Sequence, residues 1–168
     1  MIMPRRLRRA VLTAHILSSV GWAGAVATVL TLAVIGLAGS DAQVARAAYI
    51  AMAPITRYIL VPLAVAALLT GIVQALGTPW GLFRHYWIVA KLGLTVLATG
   101  VLLMYTPTVD HLAGLAATTG AGAEIRALAG SAVLHTAGGL LVLLLNTLLA
   151  VYKPRGRLPR GGRTAAVP

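Results

Sequence analysis

The chain has no cysteine among its 168 residues, which excludes disulfides, thiolate metal ligands, iron–sulfur clusters and a cysteine nucleophile. Acids are almost as scarce: Asp41, Asp110 and Glu124 are the only three. None lies inside an apolar run, so a proton-coupled transporter built on intramembrane carboxylates has no material, although His15 and His135 remain as titratable groups. Charged residues of either sign make up 10% of the chain, against about 25% in a soluble domain. No phosphate-binding glycine loop, zinc-ligand spacing or nucleophile elbow occurs, so hydrolase and nucleotide-driven pump readings find no support and no catalytic set is assigned. Any metal would need histidine, methionine or carboxylate. Met52 and Met104 stand alone in their helices and form no copper-chelating cluster.

What the chain does have is apolar length. Hydrophobic residues make up 59% of it and the mean hydropathy is +0.89, which implies a membrane protein. The formal net charge of +11 would suggest nucleic acid, but nine of the fourteen basic residues, Arg5, Arg6, Arg8, Arg9, Lys153, Arg155, Arg157, Arg160 and Arg163, lie in the two tails. No nucleic-acid partner is expected; the lipid bilayer is. The opening MIMPRRLRR has the positive charge of a signal peptide, but the following run is too long and lacks a cleavage motif, so the first span is expected to be retained.

The apolar runs divide the chain into a basic N-tail over residues 1–9, a four-helix transmembrane domain over 10–152, and a Pro/Gly/Arg tail over 153–168 expected to be disordered. The expected spans are about 10–37, 47–76, 86–106 and 130–152. Small residues at Ser18, Gly21, Ala25 and Thr28 predict the packing face of the first helix. Asp41 is placed to cap the second, and Pro54 and Pro62 predict a kink within it. Pro107 is expected to end the third, leaving Asp110 and His111 in an outer loop. With both termini inside, ten cations are cytoplasmic, and only Arg46 and Arg126 fall in outer loops or helix starts, so the positive-inside rule orients the bundle. The fold class is all-α: a polytopic, antiparallel four-helix transmembrane bundle with both termini cytoplasmic, expected in a plasma membrane.

Depth along the helices organises the candidate site. His15 and Lys91 each lie about five residues from the inner edge of their helix, roughly 7 Å deep at 1.5 Å per residue. Lys91 and Arg84, seven apart, share a face, and His85 sits near the head groups about 9 Å shallower than Lys91. Trp22 follows His15 along one stripe, and Trp87 flanks Lys91. These six residues, His15, Trp22, Arg84, His85, Trp87 and Lys91, form the candidate inner site. Arg57 and His135 form a second polar layer nearer the outer face, with Arg57 either snorkelling or ion-paired.

Two stretches carry a resemblance: AHILSSVGWAG, with His15, Trp22 and Gly24, and LFRHYWIVAKLGLTVLATGVLL, with His85, Trp87 and Lys91. From Ala10 to Tyr152 the chain resembles a family of small bacterial four-helix integral membrane proteins common in actinobacteria, which implies the fold and no activity. More distantly it is similar to the copper-resistance D membrane domain and to HemJ-type protoporphyrinogen oxidase. The latter resemblance implies His15 and Lys91 as the functional pair and a b-type haem. The leading expectation is a haem- or tetrapyrrole-binding, redox-associated membrane protein. In it His15 is the iron ligand, Lys91 with Arg84 pairs a propionate, and Trp22 and Trp87 line the pocket. One alternative is a small-molecule or copper-type metal-ion transporter, with the kinked second helix moving and Arg57/His135 at its entry. Another is a non-catalytic subunit whose glycine-rich faces dock a membrane-protein partner or a second copy.

Overall fold

The structure is a computed structural model and describes residues 3–78, 85–118 and 123–153. The turn carrying Arg84, most of the Gly-rich loop before Glu124 and the tail after Lys153 lie outside the described residues. Five α-helices follow in order: α1 Arg5–Ala38, α2 Ala42–Ile55, α3 Val61–Leu76, α4 Tyr86–Thr118 and α5 Ala123–Tyr152. No strand occurs among the described residues. A π-helical turn, Thr56–Leu60, joins α2 to α3, so that four rods are long and apolar enough to cross a membrane: Arg5–Ala38, Ala42–Leu76, Tyr86–Thr118 and Leu128–Tyr152. They form a four-helix bundle that fits a membrane protein. Its outer surface agrees, because large aliphatic side chains such as Leu17, Leu69, Leu97 and Leu134 are more than half exposed, the reverse of a water-soluble surface.

Local chemistry explains the helix ends. Asp41 Oδ1 accepts from the Gln43 and Val44 backbone N–H groups and starts α2, as its position predicts. The two prolines bracket the π turn. Pro62 offers no N–H and its ring would press on the carbonyl four residues back; the widened turn absorbs this, with Val61 N–H donating to Thr56 O. Helical threonines donate to the carbonyl four residues earlier, as Thr28, Thr95, Thr106, Thr136 and Thr147 do. Their hydroxyls therefore need no water.

Two expectations are corrected. Pro107 does not end the third span: α4 continues to Thr118 and carries Asp110 and His111 with it. The lost hydrogen bond is offset by packing, since Val109, Leu112, Ala113 and Ala116 beyond the proline are all buried. The buried stripe of α1 is Ser18, Trp22, Val26, Val29 and Ala33, one position round from the expected small-residue face. The close approach comes from small residues on the partners. Ala48, Ala64, Ala67, Ala129 and Ala132 are each at most 5% exposed and leave room for the larger α1 side chains. Arg5, Arg6, Arg8 and Arg9 lie in the first turns of α1.

Candidate functional site

At the end of the bundle that holds the N-terminus, where Met3 N–H donates to Gly77 O at 3.2 Å, α1, α3, α4 and α5 line a half-open cavity of about 760 Å³. That volume lies within the usual range for small-molecule and cofactor sites. His15 and Trp22 reach it from α1, and Trp87 and Lys91 from α4. Four of the six residues expected in the inner site thus line one space. His85 is not among the lining residues; its ring lies 6.4 Å from that of Trp87. Arg84 falls outside the described residues.

The His15 ring is held from α3. Its Nδ1 lies 3.1 Å from the Ala67 carbonyl oxygen and 3.1 Å from Thr70 Oγ1. The Thr70 hydroxyl gives its own proton to the Ala66 carbonyl at 2.5 Å, so towards His15 it can only accept. Both neighbours are acceptors, which places the proton on Nδ1 and leaves the Nε2 lone pair unprotonated in the neutral ring. This is the arrangement by which a carbonyl orients an imidazole for ligation through Nε2. Gly71 completes the support: a Cβ there would stand 3.1 Å from His15 Cε1, so the bare glycine lets the ring lie close to α3.

The opposite wall carries a feature that the sequence analysis passed over. Asn146, 8% exposed, reaches from α5 to α4, with Nδ2 donating to Thr95 Oγ1 at 3.0 Å. Thr95 in turn donates to the Lys91 carbonyl at 2.8 Å. With its one proton committed there, the threonine oxygen must accept from the amide, which fixes the orientation of Asn146 and leaves its Oδ1 without a partner. Gln74 Oε1 and Trp22 Nε1 are likewise buried without partners, and all three residues line the cavity. One signal was available: Asn146 is the only asparagine in the chain and interrupts a leucine-rich run.

Electrostatically the cavity is one-sided. Arg8, Lys91 and Lys153 line it, and no acid does. Lys153 takes a left-handed backbone conformation, φ 42°, and its N–H donates to Leu149 O at 3.2 Å, closing the end of α5. The remaining wall is aliphatic, from Leu12, Ile16, Leu68, Ile72 and Leu92 among others. The space suits an apolar body carrying anionic groups.

The outer polar residues have other company. Arg57 pairs with Asp110 at 2.5 Å, its acid supplied by the stretch of α4 expected to be a loop. His135 stacks on Tyr105 with ring centroids 4.1 Å apart, and its Nδ1 lies 2.8 Å from the Ser131 carbonyl oxygen. Arg46 donates to the Ala117 carbonyl in the last turn of α4. Among the described residues no group of three or more His, Cys, Asp or Glu side chains is placed to hold a metal ion. Comparison with family models, curated proteins and solved structures returned no match to this chain.

Proposed function

We propose that this chain is a multi-pass protein of the bacterial cytoplasmic membrane whose cavity binds a tetrapyrrole, with b-type haem as the form that His15 ligates. The observation that carries the reading is the single cavity shared by His15, with its Nε2 lone pair directed by the Ala67 and Thr70 acceptors, and Lys91. The residues fit the group: one imidazole, cations for its carboxylates, and aliphatic and indole walls for its ring. Bound haem would supply a one-electron redox centre. The chain's own residues would do the rest: His15 would offer Nε2, Lys91 would hold a propionate, and Trp22 and Trp87 would exclude water. The resemblance of the His15 and Lys91 motifs to HemJ-type oxidase points the same way. His85 lies off the cavity, so the protein offers one histidine ligand.

The bundle is antiparallel with both termini cytoplasmic in this proposal. The charge distribution supports the orientation. The Met3–Gly77 hydrogen bond and the proximity of Gly36 to Tyr49 support the alternation of α1 with the second rod. A copper-type transport reading gains nothing comparable, since no multi-ligand cluster occurs among the described residues. The test is an absorption spectrum of the protein purified in mild detergent and supplemented with haem. A Soret band is expected, abolished or shifted in His15→Ala, with Lys91→Met weakening haem binding about tenfold or more. No band in the wild type, or an unaltered band in His15→Ala, overturns the reading.

A further inference from the structure

Six buried side-chain polar atoms among the described residues have no partner, and three of them, Asn146 Oδ1, Gln74 Oε1 and Trp22 Nε1, belong to residues that line the cavity, whereas Thr56 Oγ1, Thr99 Oγ1 and Tyr105 Oη lie elsewhere in the bundle. Buried polar groups are nearly always paired, so an unpaired set in one cavity describes what is missing from it. Of the three in the cavity, two are acceptors and one is a donor. His15 Nε2 adds a third acceptor, because its Nδ1 carries the proton. The contacts also order these groups along the cavity. Val26 on α1 lies level with Gly139 on α5, which brings Trp22 level with Leu143 and sets Asn146 about 5 Å nearer the cationic end at 1.5 Å per residue. Lys91 is one turn from Thr95, the residue that Asn146 holds. The ligand therefore needs anionic groups at the Lys91 and Lys153 end. On the body that reaches past them it needs hydrogen-bond donors, with a carbonyl-type acceptor beyond.

Resting on the tetrapyrrole reading, we infer that the cavity selects an open-chain tetrapyrrole over a closed macrocycle, with Asn146 accepting from an N–H of the ligand and Trp22 donating to its lactam carbonyl. A closed ring turns its nitrogens inward, where no side chain at its rim can reach them, and leaves Asn146 Oδ1 and Trp22 Nε1 unpaired. An open chain presents pyrrole N–H groups and terminal lactams outward and keeps the two propionates for the cations. Asn146 is on this view the residue that sets specificity, while Thr95 positions it.

The test titrates the purified protein with biliverdin and separately with haem, followed by absorption. The expected result is tighter binding of biliverdin, with Asn146→Leu weakening biliverdin about tenfold while haem binding stays within about twofold. Haem binding by the same variant reports its folding. If Asn146→Leu does not fold, Thr95→Val, which removes the oxygen that orients the Asn146 amide and little else, is expected to show the same selective loss. Haem binding with no biliverdin binding, or variants that weaken both ligands equally, overturns the selectivity and leaves the tetrapyrrole reading standing. Failure to bind either ligand overturns both.

Discussion

Lys153 shows how a single residue can trade stability against a site. It ends α5 in the left-handed region, φ 42°, where a side chain costs about 1 kcal/mol that glycine does not incur. It also lines the cavity as one of its three cations. Lys153→Gly is therefore expected to stabilise the protein by about 1 kcal/mol, read as a higher Tm in detergent, while weakening a carboxylate ligand. A variant less stable than wild type would show that the conformation is not strained. At this scale the sequence was half legible. Because the rise per residue of a helix is constant, equal depths for His15 and Lys91 could be read by counting, and they line one space. Asn146 was missed because a search for titratable clusters passes over a neutral amide, and its importance depends on a neighbour, Thr95, whose proton is already spent.

Helix contacts depend on which side of the pair is small. A Cβ at Gly36 would fall 2.3 Å from Tyr49 Cε1 and 2.4 Å from Cζ, and the tyrosine, 4% exposed, has nowhere to move. Gly36→Ala should separate α1 from α2 and destabilise by about 1–3 kcal/mol, measured by thermal unfolding in detergent. Adding Tyr49→Leu should recover part of the loss, a coupling that independent sites would not show. The same principle explains the misplaced α1 face: composition along one helix names its small residues but not those of its partner. The four apolar runs and the Asp41 cap were legible because each follows from local chemistry; between Pro54 and Pro62 a kink was expected and a π turn stands in a continuous rod. Passage of α4 through Pro107 was not, because four buried residues beyond the proline, supplied with partners by other helices, outweigh one lost hydrogen bond. The Arg57–Asp110 pair depends on that continuation. Its members are 57% and 32% exposed, so Asp110→Asn should cost less than about 1 kcal/mol by denaturant unfolding.

At the scale of the whole molecule, basic residues gather at the end of the bundle where the cavity lies, since Arg5, Arg6, Arg8 and Arg9 open α1 and Lys153 follows α5. With that end cytoplasmic, a fluorescent protein fused after Pro168 is expected to be bright and an alkaline phosphatase fused there inactive; the opposite pattern would invert the proposed topology. The cavity wall contributed by α3 also depends on a count of residues. The π turn at Thr56–Leu60 holds one residue more than an α-turn would, and each residue winds a helix by about 100°. Because the π turn takes up its extra residue within one turn, removing one residue there, for instance Ile59, should leave Ala67, Thr70 and Gly71 facing His15, whereas adding one residue to α3 before Ala67 should swing them about 100° away. The insertion should abolish any His15-dependent ligand signal while helical content by circular dichroism is retained, whereas the Ile59 deletion should leave both intact. The π turn thus lets the rod give up a residue without rephasing the inner site, a tolerance that the regular turns of α3 between it and Ala67 do not share.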